Sequence, residues 1–170
     1  KKNRAITEIK PHEGAVRAIA IGGSGVFATA SDDGRIFLWN NGNTLTQETN
    51  TLVTSLVWFQ GRLVSGHNDK RLRIWDKGFK EADKLELDDD VVGLATHGDR
   101  LAVAMDDRII VLDPQFKALK VLDTGNTTPH DIQFSPDGKR LAAGGWFRLH
   151  VWDLETGEHR SIPTEHGGLL

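Results

Sequence analysis

A short apolar run closed by Trp or Leu and then by Asp or Asn returns four times in this 170-residue chain. The closures stand at Trp39-Asn40, Trp75-Asp76, Leu112-Asp113 and Trp152-Asp153, at spacings of 36, 37 and 40 residues. A period in this range means that one supersecondary unit is repeated, and that a single unit cannot bury its own apolar surface. The unit is clearest over residues 12–40. There, three runs (Val16–Ile21, Val26–Ala30 and Ile36–Trp39) are split by Gly22-Gly23-Ser24-Gly25 and by Asp32-Asp33-Gly34. Runs this short, rich in Val, Ile, Phe and Trp and divided by Gly and Asp turns, are strands joined by hairpins rather than helices.

The same order is found in the later blocks, each with a fourth, more polar strand. The expected blocks cover residues 12–48, 50–87, 90–122 and 126–162, within a single domain spanning residues 1–170. Residues 5–10 form an outer strand belonging to a preceding unit, and residues 163–170 resemble the opening of a following one. Lys77–Lys84 is expected as a charged, solvated connection. Stacking four-stranded antiparallel meanders around an axis buries both faces of each sheet, which is the propeller solution. The fold expected is therefore all-β, a beta-propeller with four blades visible. The extra strand at one end and the repeat opening at the other make it a section of a larger propeller or a half-ring that pairs with another copy.

The spacing Ser/Thr-x3-Asp-x5-Trp occurs as Thr29, Asp33, Trp39 and again as Ser65, Asp69, Trp75. With the apolar-Trp-Asp endings and the turn Ser135-Pro136-Asp137-Gly138, the chain resembles the WD-repeat propellers. The resemblance implies that a His ahead of the first strand joins these residues in a hydrogen-bonded chain inside the blade, and His12 stands at that place. The chemistry is coherent. An indole N–H only donates, a hydroxyl accepts it and donates onward to an imidazole, and a carboxylate fixes the imidazole tautomer. Trp39 is accordingly expected to be a buried anchor. Block two has no His ahead of its first strand. Block three carries Val103 and Leu112 at the hydroxyl and Trp positions, and block four carries Ala143 and Trp146 at the hydroxyl and Asp positions.

His12, Thr29 and Asp33 are the residue types of a catalytic triad, but the repeat explains them as structural. The chain has no Gly-x-Ser-x-Gly elbow, no Walker loop and no His-Glu-x-x-His, so the common motif routes to hydrolysis or nucleotide binding are empty. Asp88-Asp89-Asp90 lacks the glycine spacing of a calcium loop, and neither His130 nor His150 has a partner at metal-ligand spacing. No cofactor and no metal are expected. The absence of cysteine excludes disulfides and thiolate metal sites without fixing the compartment, though the cytoplasm is slightly favoured. Asn126-Thr127-Thr128 is a glycosylation sequon of the kind that arises by chance. A net charge of −3 gives no reason for a nucleic-acid or membrane partner.

The resemblance implies a non-catalytic scaffold that binds a protein or peptide on the face around the central channel. The alternative is the propeller portion of a larger hydrolase or oxidoreductase. Reading the family's contact positions onto this sequence gives Arg17 and Asp32 in block one, Thr54 and Asn68 in block two, Asp90 and Val92 in block three, and His130 and Trp146 in block four. The partners implied are a protein or peptide, together with the remainder of its own propeller or a second copy to close the ring.

Overall fold

The computed structural model describes residues 12–23, 25–40, 43–125 and 127–164. The expected outer strand over 5–10, the residues 165–170 of the following repeat and Asn126 of the sequon lie outside them. The described residues hold sixteen strands and no helix, in four separate antiparallel sheets of four. The first sheet contains β1 Val16–Ile21, β2 Val26–Ser31, β3 Arg35–Asn40 and β4 Asn43–Glu48. The second contains β5 Val53–Phe59, β6 Arg62–His67, β7 Arg71–Trp75 and β8 Glu81–Glu86. The third contains β9 Gly93–His97, β10 Arg100–Ala104, β11 Arg108–Leu112 and β12 Ala118–Asp123. The fourth contains β13 Pro129–Phe134, β14 Arg140–Gly145, β15 Arg148–Asp153 and β16 His159–Pro163. Strand order follows chain order in every sheet, because tight hairpins leave each strand no neighbour but the next one.

The first strands stack side by side, β1 on β5, β5 on β9 and β9 on β13, so the four sheets radiate as blades from one line. Three apolar cores fill the wedges between them. Ala28, Ile36 and Leu38 of blade one meet Leu56, Trp75 and Phe79 of blade two. Val64, Leu72 and Ile74 of blade two meet Leu94, Val103 and Leu112 of blade three. Ala102, Ile109 and Val111 of blade three meet Ile132, Phe134 and Trp152 of blade four. Val103 and Leu112, the residues that replace the hydroxyl and the indole, are buried core of the ordinary kind. Gly66 is small because the next blade is close: a Cβ there would collide with the Val91 side chain.

The connection over 77–84 is not simply a solvated loop. Glu81–Lys84 already belongs to β8, and Phe79 is buried against Trp75, ring centroids 5.3 Å apart. Phe116 repeats the device in blade three, packing on Phe59 at 5.9 Å. Both Phe79 and Phe116 take positive φ, 56° and 59°. The backbone there closes a turn onto the preceding aspartate, with Phe79 N–H donating to the Asp76 carbonyl and Phe116 N–H to that of Asp113. Burial of the whole Phe79 ring, about 2–3 kcal/mol, offsets the left-handed conformation, which costs a non-glycine residue about 1–2 kcal/mol; Phe116 is half-buried.

Candidate functional site

The residues expected around the channel fall into two groups. Arg17, Thr54 and His130 are the second residues of β1, β5 and β13, Val92 stands just ahead of β9, and the four line one concavity of about 270 Å³, together with Ser55, Gly93 and Asp131. Asp32, Asn68, Asp90 and Trp146 sit in the adjoining turns and strand approaches, outside that lining.

Their chemistry differs. Arg17 grips Asp32 in a two-pronged ion pair, Nε to Oδ1 at 2.8 Å and Nη2 to Oδ2 at 2.6 Å. The hydrogen bond to Arg17 holds the Asp32 carboxyl below its ordinary value and raises that of the guanidinium. Thr54 spends its hydroxyl on the fold, donating to the Val91 carbonyl of the next blade at 2.6 Å and to that of Gly66 at 3.1 Å. Asn68 is pinned on Leu52, its Oδ1 accepting the Leu52 N–H at 3.1 Å. Asp90 is half-buried, and its backbone N–H donates to Asp89 Oδ1. Val92 packs against the core between blades three and four. Arg17 and His130 are left as exposed polar groups on the concavity.

At the blade-four end of this face stands an aromatic corner. Trp146 is 49% exposed and meets the His130 ring edge-on at 6.0 Å. Phe147, which the sequence reading passed over, follows it and is equally open. The two form the tip of the β14–β15 hairpin, and Phe147 holds φ at 59°. The position corresponds to Gly34 and Lys70, the left-handed residues of the same turn in blades one and two. The detectable signal was an aromatic where the other copies have glycine or lysine. Bulky residues in this conformation are uncommon and concentrate at functional sites.

The expected hydrogen-bonded chain is present in blade one. Trp39 Nε1–H donates to Thr29 Oγ1 at 3.2 Å, Thr29 bonds His12 Nε2 at 2.8 Å, and His12 Nδ1 meets Asp33 at 3.2 Å. Burial pushes the Asp33 carboxyl up, but the N–H bonds from Glu13 and Arg35, with His12, outweigh it and hold it low. Trp39 itself is not the buried anchor expected. It is half-exposed, stacked on Phe27 at 5.5 Å, because no sheet covers that side of blade one among the described residues.

Blade two, with no His ahead of its first strand, draws an imidazole from its second strand instead. His67, two residues after Ser65 on β6 and therefore on the same face, accepts from Ser65 Oγ through Nε2 at 2.7 Å. Trp75 Nε1–H donates to Ser65 at 2.9 Å, and His67 Nδ1 donates to Thr51 Oγ1 at 2.9 Å. Arg73 stands where blade one has Phe37, and it takes Asp69 for itself, Nη2 to Oδ2 at 2.7 Å. Burial, aided by the Arg73 charge, lowers the His67 pKa to about 3, so the ring is neutral.

In blade four, His150 does have a histidine partner. Its Nδ1 meets His159 Nε2 at 3.0 Å, and both rings lie flat on the Trp152 indole. The two imidazoles are nearly coplanar with centroids 5.2 Å apart, so their nitrogens point head-on at one another. That is a hydrogen bond, with no room for an ion between them. Among the described residues, no group of three or more His, Asp or Glu side chains is placed to hold a metal, and Asp88 is ion-paired with Arg108.

A family model described as "WD domain, G-beta repeat" matches residues 3–40, 42–76 and 117–153. The stretch between the last two matches carries Val103 and Leu112, where indole and hydroxyl are lost. No curated protein matches the chain. Among solved structures, a chain of the "Crystal Structure of Mitotic Checkpoint Complex" superposes with a TM-score of 0.78 at 18% identity, over 91% of this chain and 51% of that one. This chain thus spans about half the length of that solved relative, and at this identity the likeness is one of fold.

Proposed function

The chain belongs to the WD-repeat family, and from that premise we propose that it is a non-catalytic scaffold holding a protein or peptide on the face around its channel. The observation that carries this reading is the meeting of His130 and Trp146. One lines the concavity and the other rises from a neighbouring turn, giving a wide exposed indole beside a polar recess. Trp is favoured at binding hot spots because it contributes large, rigid contact area. Arg17 and Asp131 put one charge of each sign in the recess, which suits a polar peptide with a single apolar anchor. The solved relative of the same fold sits in a complex, in keeping with protein partners. Asp32, Thr54, Asn68, Asp90 and Val92 shape this face, each through a contact within the protein.

The test is a double variant, Arg17→Glu with Trp146→Ala. Arg17→Glu gives up the exposed ion pair with Asp32 and Trp146→Ala removes a half-exposed ring, so stability should fall by no more than about 1–2 kcal/mol. Titration against the partner recovered with the native protein should show a loss of at least about 2 kcal/mol of affinity. Undiminished binding by the folded variant would place the contact elsewhere on the propeller.

A further inference from the structure

Blade three stands between blades two and four, and its loops have both neighbours in place. On the channel face, its β10–β11 turn is sewn to both adjoining links. Val92 N–H donates to the Ala104 carbonyl at 2.9 Å, and Thr124 N–H to that of Asp107 at 3.1 Å. These bonds gather Asp88, Asp89, Asp90, Asp106, Asp107 and Asp123 over one blade. Arg108 answers two of them, pairing with Asp88 and with Asp107. Asp89 and Asp123 each accept an N–H bond inside their own loops but have no ion pair among the described residues. The Asp90 and Asp106 carboxylates have neither a hydrogen bond nor an ion pair among those residues.

The opposite face of blades two and three has the reverse balance. Arg62, Lys77, Lys80, Arg100 and Lys117 stand at its turns, whereas Asp76 and Asp113 accept N–H bonds from within those turns. This part of the propeller is therefore polar across its thickness, and such a field orients a charged partner before contact.

Trp146 adjoins the acidic sector. Gly145 beside it lies against the link from blade three to blade four, so that a Cβ on Gly145 would meet Thr127 Cγ2 at 2.6 Å. Asp123 begins that same link and pairs in register with Arg108, next to Asp107. The four residues from Asp123 to Thr127 reach at most about 14 Å, so the indole and the carboxylates lie within the compass of one short peptide.

We propose that the partner is a cationic segment, an extended peptide whose apolar residue rests on Trp146 and whose Lys or Arg side chains, about five residues along, lie over the acidic end of blade three. This rests on the reading of Trp146 as the anchor and adds the chemistry of what it anchors. The occupant follows from charge complementarity. The carboxylates are spread along three loops, and among the described residues no group of three is placed to hold a metal. They match cations carried on separate side chains rather than one ion. The same charge repels a nucleic acid or an anionic membrane. Arg17 stands across the recess on blade one, its guanidinium held by Asp32, outside this sector.

The test is selection of random short peptides from a displayed library on the folded protein, followed by titration of the peptides recovered. They should carry Lys or Arg together with an apolar residue. The triple variant Asp89→Asn, Asp106→Asn and Asp123→Asn removes three charges and keeps the side-chain oxygens that the loop N–H groups need. It should bind these peptides at least about tenfold more weakly at low salt, with a flatter dependence on salt concentration. Trp146→Ala should weaken them with the salt dependence unchanged. Changing the Lys and Arg of a recovered peptide to Gln should weaken its binding to the parent and matter much less to the triple variant. Peptides that need Trp146 but are acidic or uncharged, or that bind the triple variant as tightly as the parent, overturn this inference and leave the anchor standing. Peptides indifferent to Trp146→Ala, or the recovery of none, overturn both.

Discussion

Blades one and two build the same indole-hydroxyl-imidazole chain from different parts of the sequence. In blade one the imidazole comes from His12, ahead of the first strand, and ends on the Asp33 carboxylate. In blade two it comes from His67 in the second strand and ends on the Thr51 hydroxyl. The cause is one position on the third strand. Phe37 leaves Asp33 free for the histidine and packs edge-on against it at 4.7 Å, whereas Arg73 captures Asp69. What the blade conserves is the satisfaction of a buried indole N–H and hydroxyl, because a buried polar group left unpaired costs about 1–3 kcal/mol. The second difference lies outside the network: Trp75 is buried by blade one, whereas Trp39 is half-exposed.

The largest expected effect sharpens that second difference. Trp75→Ala should lose about 3–5 kcal/mol in urea melts, the usual range for a buried aromatic. Trp39→Ala should lose only about 1–2 kcal/mol, because less apolar area returns to water. Equal losses in the two blades would mean that the Trp39 face is covered in solution.

Acid should separate the two networks next. Unfolded His67 takes up a proton near pH 6.5, whereas the folded ring does so only at about 3. Between these values the unfolded chain holds the extra proton, so stability falls as the pH falls. About 3 kcal/mol should be lost between pH 6.5 and 4. The check is the pH slope of the unfolding free energy in His67→Gln, which should be flatter than in the parent. An unchanged slope would assign the acid sensitivity to some other group.

A third pair of variants probes the far ends of the chains. Asp33→Ala removes a carboxylate that holds His12 and two backbone N–H groups, and should cost about 1–3 kcal/mol. Thr51→Val removes a single neutral partner of His67 and should cost about 0.5–1.5 kcal/mol. Chemical denaturation at pH 7 measures both, and the reverse ranking would contradict the two assignments.

Much of this architecture was legible in the chain itself, because a period of 36–40 residues with Trp-Asp endings admits few folds. The four residues of the blade-one network were legible because their spacing is regular. His67 was not, since nothing in the sequence says that Arg73 will draw Asp69 away. Trp39 was expected to be buried because burial was read from its own repeat, whereas the covering surface belongs to a neighbour. Phe79 and Phe116 were hidden in charged connections, where a lone aromatic at a left-handed position leaves no periodic signal. Of the proposed contact face, the convergence of Arg17, Thr54, Val92 and His130 followed from the equivalence of the repeats. The internal engagement of Thr54 and Asn68, and the exposure of Phe147 beside Trp146, depend on side-chain geometry that repeat alignment does not carry.

The smallest expected effect concerns the turn that leads into the third strand. Gly34 in blade one and Lys70 in blade two hold the same left-handed conformation, at φ 74° and 63°. Glycine enters that region freely, but a residue with a Cβ does so at a cost of about 1–2 kcal/mol. Replacing Lys70 by Gly relieves the strain, and the added freedom of the unfolded chain, about 0.5–1 kcal/mol, takes part of the gain back. The exposed Lys70 ammonium also gives up its bond to the Asp88 carbonyl, which contributes little in water. Lys70→Gly should therefore stabilise the protein by about 0.5 kcal/mol, and Gly34→Ala should destabilise it by about 1 kcal/mol. Opposite signs at equivalent positions are the expected result of paired thermal melts. If Lys70→Gly lowers the melting temperature instead, the Lys70 side chain contributes more to blade two than its exposed position indicates, through Asp88 or the loop that Asp88 begins.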